Sequence, residues 1–299
     1  MLHTFITKIM RYIGQSRWRE HQPAFYHNQI AQREIFLSYK NKNDNNKSTL
    51  NFRDAGFRVY SQTDEDGLLL YIFSLIGFTN RMLVDMAFGS PYNANSTNLL
   101  LNWGFHGLVI EGNPANVKAT KRFFKSHPDS KIFPPLVVNA WITAENVNDI
   151  LKKNGFVGEI DLFSLDMDGV DYWIWKTLEV ISPRVVIVEY QDILGWKKAL
   201  SVPYNAQFNR HEIHEDFFGA SLPAFLALAE KKGYRLIGCN KYCYNAFFVR
   251  EDISRDILPE CSVEKCFEHP KVYMGIKKRL PEVQDLPWVS VENEIEKSK

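Results

Sequence analysis

Three carboxylates stand where apolar segments of the chain end. Asp166 and Asp168 follow the apolar run Ile160–Leu165, and Glu189 follows a second apolar run. A carboxylate can remove the proton of a hydroxyl group as a general base, and carboxylate oxygens are the ligands that Mg²⁺ prefers. We therefore take Asp166, Asp168 and Glu189 as candidate catalytic residues, and Asp166 and Asp168 also as candidate metal ligands. For Asp168 the alternative is that it caps the following helix, where a carboxylate is also favourable.

A second group of polar residues has the spacing of a nucleotide site. Glu111 lies 26 residues after Asp85 (111 − 85) and follows its own apolar run. In nucleotide-binding α/β folds, a carboxylate ~20 residues beyond the first strand accepts hydrogen bonds from the ribose hydroxyls. The loop after Asp85 is less typical, because Ala87 stands where a close cofactor usually requires glycine and only Gly89 remains.

Alternating strands and helices must position these residues. Nearly continuous apolar runs separated by helical periodicity indicate a parallel sheet with helices on both faces. Because ligands bind outside the carboxyl ends of such strands, the polar residues are expected to share one crevice. The strands are predicted at Met82–Met86, Leu108–Ile110, Leu136–Val138, Ile160–Leu165 and Val185–Val188, and the helices at Thr97–Trp103, Pro114–Lys125, Ala144–Asn154, Tyr172–Val180 and Ser221–Lys232.

The end of this region departs from the alternation. Only a short loop separates the predicted strands Tyr234–Ile237 and Ala246–Val249, so no crossover helix fits and the two must form an antiparallel hairpin. A mostly parallel sheet that ends in such a hairpin is the Rossmann-like plan of class I methyltransferases. The predicted fold class is therefore α/β of this type, by analogy of fold.

The ordered series of polar blocks resembles FkbM-like methyltransferases. The resemblance covers Ser61–Asp252, and its ordered series is more specific than any single block. The blocks are Tyr60–Gly67, the strand end at Asp85, Asn95–Thr97, Gly107–Asn113, Asp161–Tyr172, Pro183–Glu189, Gly219–Ser221 and Asn245–Val249.

The resemblance implies a cofactor, an activity and a role for most of the candidate residues. It implies S-adenosylmethionine as cofactor and methyl transfer, usually to oxygen, on a sugar, glycan or other small hydroxylated acceptor. The Asp166-x-Asp168-Gly169 block would lie beside the acceptor, with Mg²⁺ as a further candidate cofactor. In the implied cofactor site, Asp85 and Gly89 lie at the methionine end, Glu111 holds the ribose, and Asn139 and Ala140 lie at the edge of the adenine. Asn113 is a further candidate cofactor-binding residue.

Gln62 has two interpretations. It precedes a predicted helix together with the acidic residues Glu65 and Asp66, a pattern that fits helix capping and the helix dipole. Alternatively, Gln62 or Asp66 closes over the amino-acid part of the cofactor. His211 and His214 lie in the polar stretch Asn205–Glu215, which is predicted to form a lid over the acceptor.

Two other functions remain open at this stage. Asp166-x-Asp168 after an apolar strand is also how metal-dependent glycosyltransferases bind a nucleotide-sugar diphosphate. The unusual Ala87 alternatively suggests a methyltransferase fold that serves only as a scaffold. The hairpin and Glu111 favour the methyltransferase.

Composition and charge narrow the class of protein. The 299 residues carry 36 basic and 35 acidic side chains, a net charge of +1, and 45% hydrophobic residues. These values argue against disorder and against a nucleic-acid partner held by a strong positive field. No apolar run reaches the ~20 residues of a membrane span. We expect an N-terminal helix and linker (1–50), a methyltransferase-like domain (51–255) and a C-terminal extension (256–299).

The N-terminus and the cysteines bear on location. Residues 1–19 combine an amphipathic pattern with basic side chains, which favours a helix packed on the domain or a subunit, or alternatively one lying on a membrane surface. Four cysteines without a secretion signal favour a reducing, cytoplasmic compartment. Their Cys-x3-Cys and Cys-x4-Cys spacing differs from the usual zinc knuckle, so free thiols are favoured over zinc at Cys239, Cys243, Cys261 and Cys266.

Overall fold

The computed structural model describes residues 27–43, 50–253 and 255–292 of the chain. The chain divides into two compact units, residues 1–49 and 50–299. In the first unit, residues 27–43 form helix α1. The amphipathic helix predicted at the N-terminus lies outside the described residues. Residues 40–43, which belong to the linker part of the predicted segment 1–50, continue α1, and lysines such as Lys40 and Lys42 are favourable near a helix C-terminus. None of the helices described in these ranges is long and apolar enough to cross a membrane.

The second unit is built on a seven-stranded sheet with the order β3-β2-β1-β4-β5-β8-β7. The first five strands pair in parallel, and β8 is antiparallel to both β5 and β7. The predicted class I methyltransferase fold is therefore confirmed. The strands are β1 (Met82–Met86), β2 (His106–Glu111), β3 (Leu136–Asn139), β4 (Gly158–Leu165), β5 (Ile181–Glu189), β6 (Leu200–Ser201), β7 (Tyr234–Cys239), β8 (Asn245–Arg250) and β9 (Val289–Ser290), with β6 and β9 forming a separate small sheet.

Helices cover both faces of this sheet. Consecutive residues of β1, β2 and β4 are buried, and consecutive strand residues point to opposite faces, so neither face is open to solvent. The helix predicted to begin at Ala144 begins at Val147 instead, and the one predicted to reach Val180 ends at Thr177. The helices are α2 (Glu65–Ile76), α3 (Thr97–Asn102), α4 (Pro114–Ser126), α5 (Val147–Lys153), α6 (Asp171–Thr177), α7 (Leu222–Lys231), α8 (Pro270–Lys278) and α9 (Leu280–Val283).

A buried ion pair joins β4 and β5 near their amino-terminal ends, at the end of the sheet opposite to the candidate site. The carboxylate of Asp161 in β4 is fully buried and accepts a hydrogen bond from Arg184 Nη1 at 2.8 Å. It also accepts from the backbone N–H groups of the turn before β1, residues Thr79 and Arg81 among them. Breaking such a buried pair leaves an uncompensated charge, so Asp161 has a structural role. These contacts hold the amino-terminal ends of the strands in place, and the strand register then determines which residues lie together at the carboxyl ends.

Candidate functional site

The three candidate catalytic carboxylates lie together, as the parallel strands require. Asp166 and Asp168 follow β4, Glu189 ends β5, and their nearest carboxylate oxygens all lie within 4.8 Å of one another. We call these three residues the carboxylate cluster. Asp166 and Glu189 are half-buried, and the side chain of Asp168 is 47% exposed. Three oxygen ligands at such separations can hold a divalent cation.

Burial and mutual repulsion hold protons on the carboxylate cluster near neutral pH. Burial, followed by the charges of Asp168 and Asp171, raises the pKa of Asp166 to about 7. Burial, followed by the charge of Asp166, raises the pKa of Glu189 well above its usual value. A hydrogen bond between the two carboxyl groups lowers the pKa of Asp166 and raises that of Glu189, which favours one proton shared by the pair.

Asp168 does not cap the following helix, so that alternative is wrong. Its carboxylate forms an ion pair with Arg210 Nη1 at 2.7 Å. Asp171, the first residue of α6, instead binds the backbone of the loop between β4 and α6. Its carboxylate accepts hydrogen bonds from the N–H groups of Met167 at 2.7 Å and Gly169 at 3.0 Å. These bonds hold Asp168 at a φ of 53°, a conformation that a non-glycine residue adopts only when its surroundings impose it.

A cavity of about 230 Å³ opens at the carboxyl ends of β1 to β4. Met167 and Gly169, which flank Asp168 in sequence, line it, but none of the three residues of the carboxylate cluster does. Three of the predicted cofactor residues line it: Glu111, Asn113 and Ala140. Glu111 joins the loops after β1 and β2, because its Oε2 accepts from the N–H of Gly89 at 2.8 Å and its Oε1 from the N–H of Asn113 at 2.7 Å. The remaining lining residues are Ala87, Gly112, Trp141, Ile142, Met167, Gly169, Val170, Asn205, Ala206 and Phe208.

Four predicted cofactor residues do not line this cavity. Asn139 uses its side-chain amide to donate to the backbone oxygens of Glu111 and Gly112, so it supports the cavity from behind. Gly89 contributes the N–H that holds Glu111. Asp85 is buried within β1, and Gln62 is exposed before α2.

Three residues of the predicted lid, Asn205, Ala206 and Phe208, line the cavity, whereas its two histidines do not. The indole Nε1 of Trp141 donates to the backbone oxygen of Ala206 at 2.7 Å, which closes the segment over one side. Arg210 then reaches Asp168 from the same segment. His211 is exposed, and His214 lies 3.4 Å from Glu282, away from the cavity. Arg210 was missed in the sequence, because a single arginine in a polar stretch gives no signal of its partner.

The Oδ2 oxygen of Asp66 is occupied by hydrogen bonds within the chain, so it does not close over a ligand. Its Oδ2 accepts hydrogen bonds from the N–H groups of Val59, Tyr60 and Ser61, which organises the segment before α2. Its second oxygen, Oδ1, is buried and has no hydrogen-bond partner within the described part of the chain, and the same holds for the hydroxyl of Tyr60 and for Oδ2 of Asp85. Buried polar atoms are normally paired, so each of these needs an explanation.

We expect Asp85→Asn to flatten the dependence of stability on pH. Burial raises the pKa of Asp85 to about 7, so the folded chain keeps a proton there that the unfolded chain loses above its usual pKa near 4. The unfolding free energy that this group contributes is fully present below the unfolded pKa near 4 and is lost as the pH rises through 7. The loss of unfolding free energy between pH 5.5 and 8, measured with urea, should be smaller in Asp85→Asn by about 1.4 kcal/mol or more. The exposed Asp54→Asn is the matched control, and an equal slope in both variants would contradict the prediction.

Ala87 adopts the backbone conformation that favours glycine. Its φ is 58° at the turn after β1, next to Glu111 in the wall of the cavity. For an alanine this conformation costs roughly 1–2 kcal/mol, of which the greater flexibility of an unfolded glycine offsets about half. Ala87→Gly should therefore raise the unfolding free energy by about 0.5–1 kcal/mol in a denaturant titration. A loss of stability would show that the alanine methyl packs usefully in the folded chain.

Several solved methyltransferases have a similar fold. An O-methyltransferase family protein from Burkholderia thailandensis matches over 62% of this chain and 58% of its own, with 12% identity and a TM-score of 0.37. Magnesium protoporphyrin IX methyltransferase from Synechocystis PCC 6803, solved with bound SAM, matches over 61% and 74%, with 10% identity and a TM-score of 0.38. PKMT2 from Rickettsia typhi, solved with AdoHcy, matches over 62% and 53%, with 11% identity and a TM-score of 0.41.

No family model matches the chain, and no curated protein matches it. The chain spans 53–74% of the length of the three solved proteins named here. These similarities concern the fold. Any conclusion on function therefore depends on the geometry of the cavity and the carboxylate cluster.

Proposed function

We propose that the protein is an S-adenosylmethionine-dependent O-methyltransferase that acts on a sugar, glycan or similar hydroxylated acceptor. The observation that carries this proposal is the position of Glu111. It ends the second strand of a class I sheet, lines the cavity at the carboxyl ends, and lies on the same edge as three carboxylates that can manage a proton. A ribose-binding carboxylate next to proton-transfer groups suits methyl transfer to a hydroxyl.

The residues of the cavity fit this cofactor. Each carboxylate oxygen of Glu111 accepts one short backbone hydrogen bond and keeps acceptor capacity for a ribose hydroxyl. Trp141, Ile142 and Met167 supply the apolar wall that an adenine ring requires. Asp85 lies outside the lining of the cavity, and we assign it to the methionine end because its buried Oδ2 has no hydrogen-bond partner among the described residues. When bound, S-adenosylmethionine supplies an electrophilic methyl group.

The carboxylate cluster supplies the proton chemistry. Asp166, with a pKa of about 7, matches the pH at which a general base works best, and can accept the proton of an acceptor hydroxyl. The same oxygens suit Mg²⁺, which would lower the pKa of that hydroxyl. Arg210 offsets one of the three negative charges through its ion pair with Asp168. In this proposal, the lid formed by Asn205–Glu215 mainly aligns the acceptor hydroxyl with the methyl group.

Calorimetric titration with S-adenosylmethionine, and separately with UDP plus Mn²⁺, tests the proposal. We expect saturable binding of S-adenosylmethionine by the full-length chain, and no UDP binding. Binding of UDP alone would instead support the glycosyltransferase alternative, and binding of neither ligand would support a scaffold. Both of these outcomes contradict the proposal.

A further inference from the structure

A second cavity, of about 400 Å³, lies between the segment that follows β5 and the helices α8 and α9. We call it the C-terminal cavity. Its size falls in the range of about 300–1,000 Å³ that holds small ligands, and most of its wall is apolar. The polar side chains that line it are those of Lys197, Lys198 and Gln284. The apolar side chains are those of Leu194, Trp196, Leu200, Ile276, Leu280 and Trp288.

Ion pairs fasten the two walls of the C-terminal cavity to each other. The side chain of Asp192, at the start of the first wall, is 4% exposed and pairs with Lys271 Nζ at 2.9 Å and Arg279 Nη1 at 3.6 Å. Gly275 lets α8 approach the first wall closely, because a Cβ there would lie 3.1 Å from Cγ2 of Ile193. The space is therefore formed before a ligand binds, which lowers the entropic cost of binding.

Two indole rings in the wall are held in place from behind. Trp288 donates from Nε1 to the backbone oxygen of Val283 at 2.8 Å, and its ring packs edge-on against Phe217 with centroids 4.6 Å apart. The ring of Trp196 packs against Phe267 at 5.7 Å. Both tryptophans remain only half-buried. A planar ring packs on such fixed aromatic surfaces more favourably than its buried area alone provides.

The charge of the C-terminal cavity is positive. None of its lining residues carries a carboxylate, and within the described part of the chain Lys197 and Lys198 form no ion pair. The cations of the second wall differ, because Asp192 already offsets their charge. The backbone of the lysine segment is fixed, since Oγ of Ser221 donates to the oxygen of Lys198 at 2.7 Å. Two exposed ammonium groups beside an apolar wall favour a ligand with an apolar body and an anionic group.

We propose that the C-terminal cavity binds a small planar aromatic molecule that carries a carboxylate or a similar anionic group. The ring would lie against Trp196 and Trp288, and the anionic group would pair with Lys197 and Lys198. An acyl chain would gain less from the indole rings, and a neutral ring would leave the lysines unpaired. This cavity shares no lining residue with the one at the carboxyl ends of β1 to β4, so the inference does not depend on the proposed methyl transfer.

Calorimetric titration of the full-length protein with cinnamate, a planar aromatic carboxylate, tests this inference. We expect saturable binding of about one cinnamate per chain. The neutral cinnamamide should bind at least about tenfold more weakly, because it loses the charge-assisted hydrogen bonds to the lysines. Octanoate, an anion of similar size without a ring, should bind several-fold more weakly than cinnamate, because it cannot stack on the indole rings.

A double variant locates the bound anion. Lys197→Gln/Lys198→Gln should lower the affinity for cinnamate about tenfold or more and leave that for cinnamamide unchanged. Both side chains are exposed, so the variant should fold. The matched control is Lys152→Gln/Lys153→Gln, which removes the same charge from an exposed pair in the last turn of α5 and should bind cinnamate normally.

Four results would overturn the inference. They are a wild-type chain that shows no saturable binding of cinnamate, equal affinity for cinnamate and cinnamamide, tighter binding of octanoate than of cinnamate, and an equal loss of affinity in the two lysine variants. Cinnamate bound in the expected way by a chain that fails to bind S-adenosylmethionine would leave the inference intact while contradicting the proposed function.

Discussion

Replacing Glu111 by alanine is expected to weaken binding of S-adenosylmethionine at least tenfold, which is about 1.4 kcal/mol. The reason is that the ribose would lose hydrogen bonds to a charged acceptor in the wall of the cavity. Isothermal calorimetry of the wild type and the variant at one salt concentration measures the change.

The same carboxylate also joins Gly89 to Asn113, so two further variants are needed to interpret the result. Glu111→Gln keeps one carbonyl acceptor and should fall between the wild type and Glu111→Ala in affinity. Glu230→Ala, on the exposed face of α7, is the matched control and should bind normally. Thermal unfolding shows whether Glu111→Ala still folds. Unchanged affinity in a folded Glu111→Ala protein would mean that the ribose lies elsewhere.

Neutralising the carboxylate cluster is expected to abolish high-affinity cation binding. Asp166→Asn and Glu189→Gln each remove one charged ligand from a set of three whose oxygens lie within 4.8 Å. Changes outside the ligands alone cost about 10–100-fold in metal affinity, so loss of a ligand should lower Mn²⁺ affinity by about 100-fold or more. Electron paramagnetic resonance of free Mn²⁺ in titrations of the protein gives the affinity directly.

A matched surface variant separates this effect from general charge. Asp149→Asn in α5 removes the same charge from an exposed position and should leave Mn²⁺ binding as it is in the wild type. Equal affinity in Asp166→Asn and Asp149→Asn would show that the carboxylate cluster is not a cation site. Asp166 would then be left with the role of general base alone.

The sequence predicted the fold and the positions at which neighbouring strands end, because both follow from the strand pattern. Apolar β-branched runs fix where parallel strands end, and ends that meet at one edge bring Glu111 close to the cavity and Asp166 close to Glu189. The hairpin was predictable for a similar reason, since a loop that is too short for a crossover leaves only the antiparallel arrangement.

Individual side-chain partners were less predictable, because they depend on geometry that spacing does not report. Asp168 and Asp171 are both acidic residues next to α6, and only the backbone shows that Asp171 binds the loop while Asp168 pairs with Arg210. Asn139 was placed correctly at the end of β3, yet its amide faces the backbone of the neighbouring loop. One residue of strand register or one side-chain rotation decides such outcomes.

A crystal structure with bound S-adenosylhomocysteine tests the central claim most directly. We expect the ribose hydroxyls within hydrogen-bond distance of the Glu111 carboxylate, the adenine between the apolar residues of the cavity wall, and the sulfur directed toward Asp166 and Glu189. A ligand bound outside this cavity, or one whose ribose contacts no oxygen of Glu111, would contradict the account.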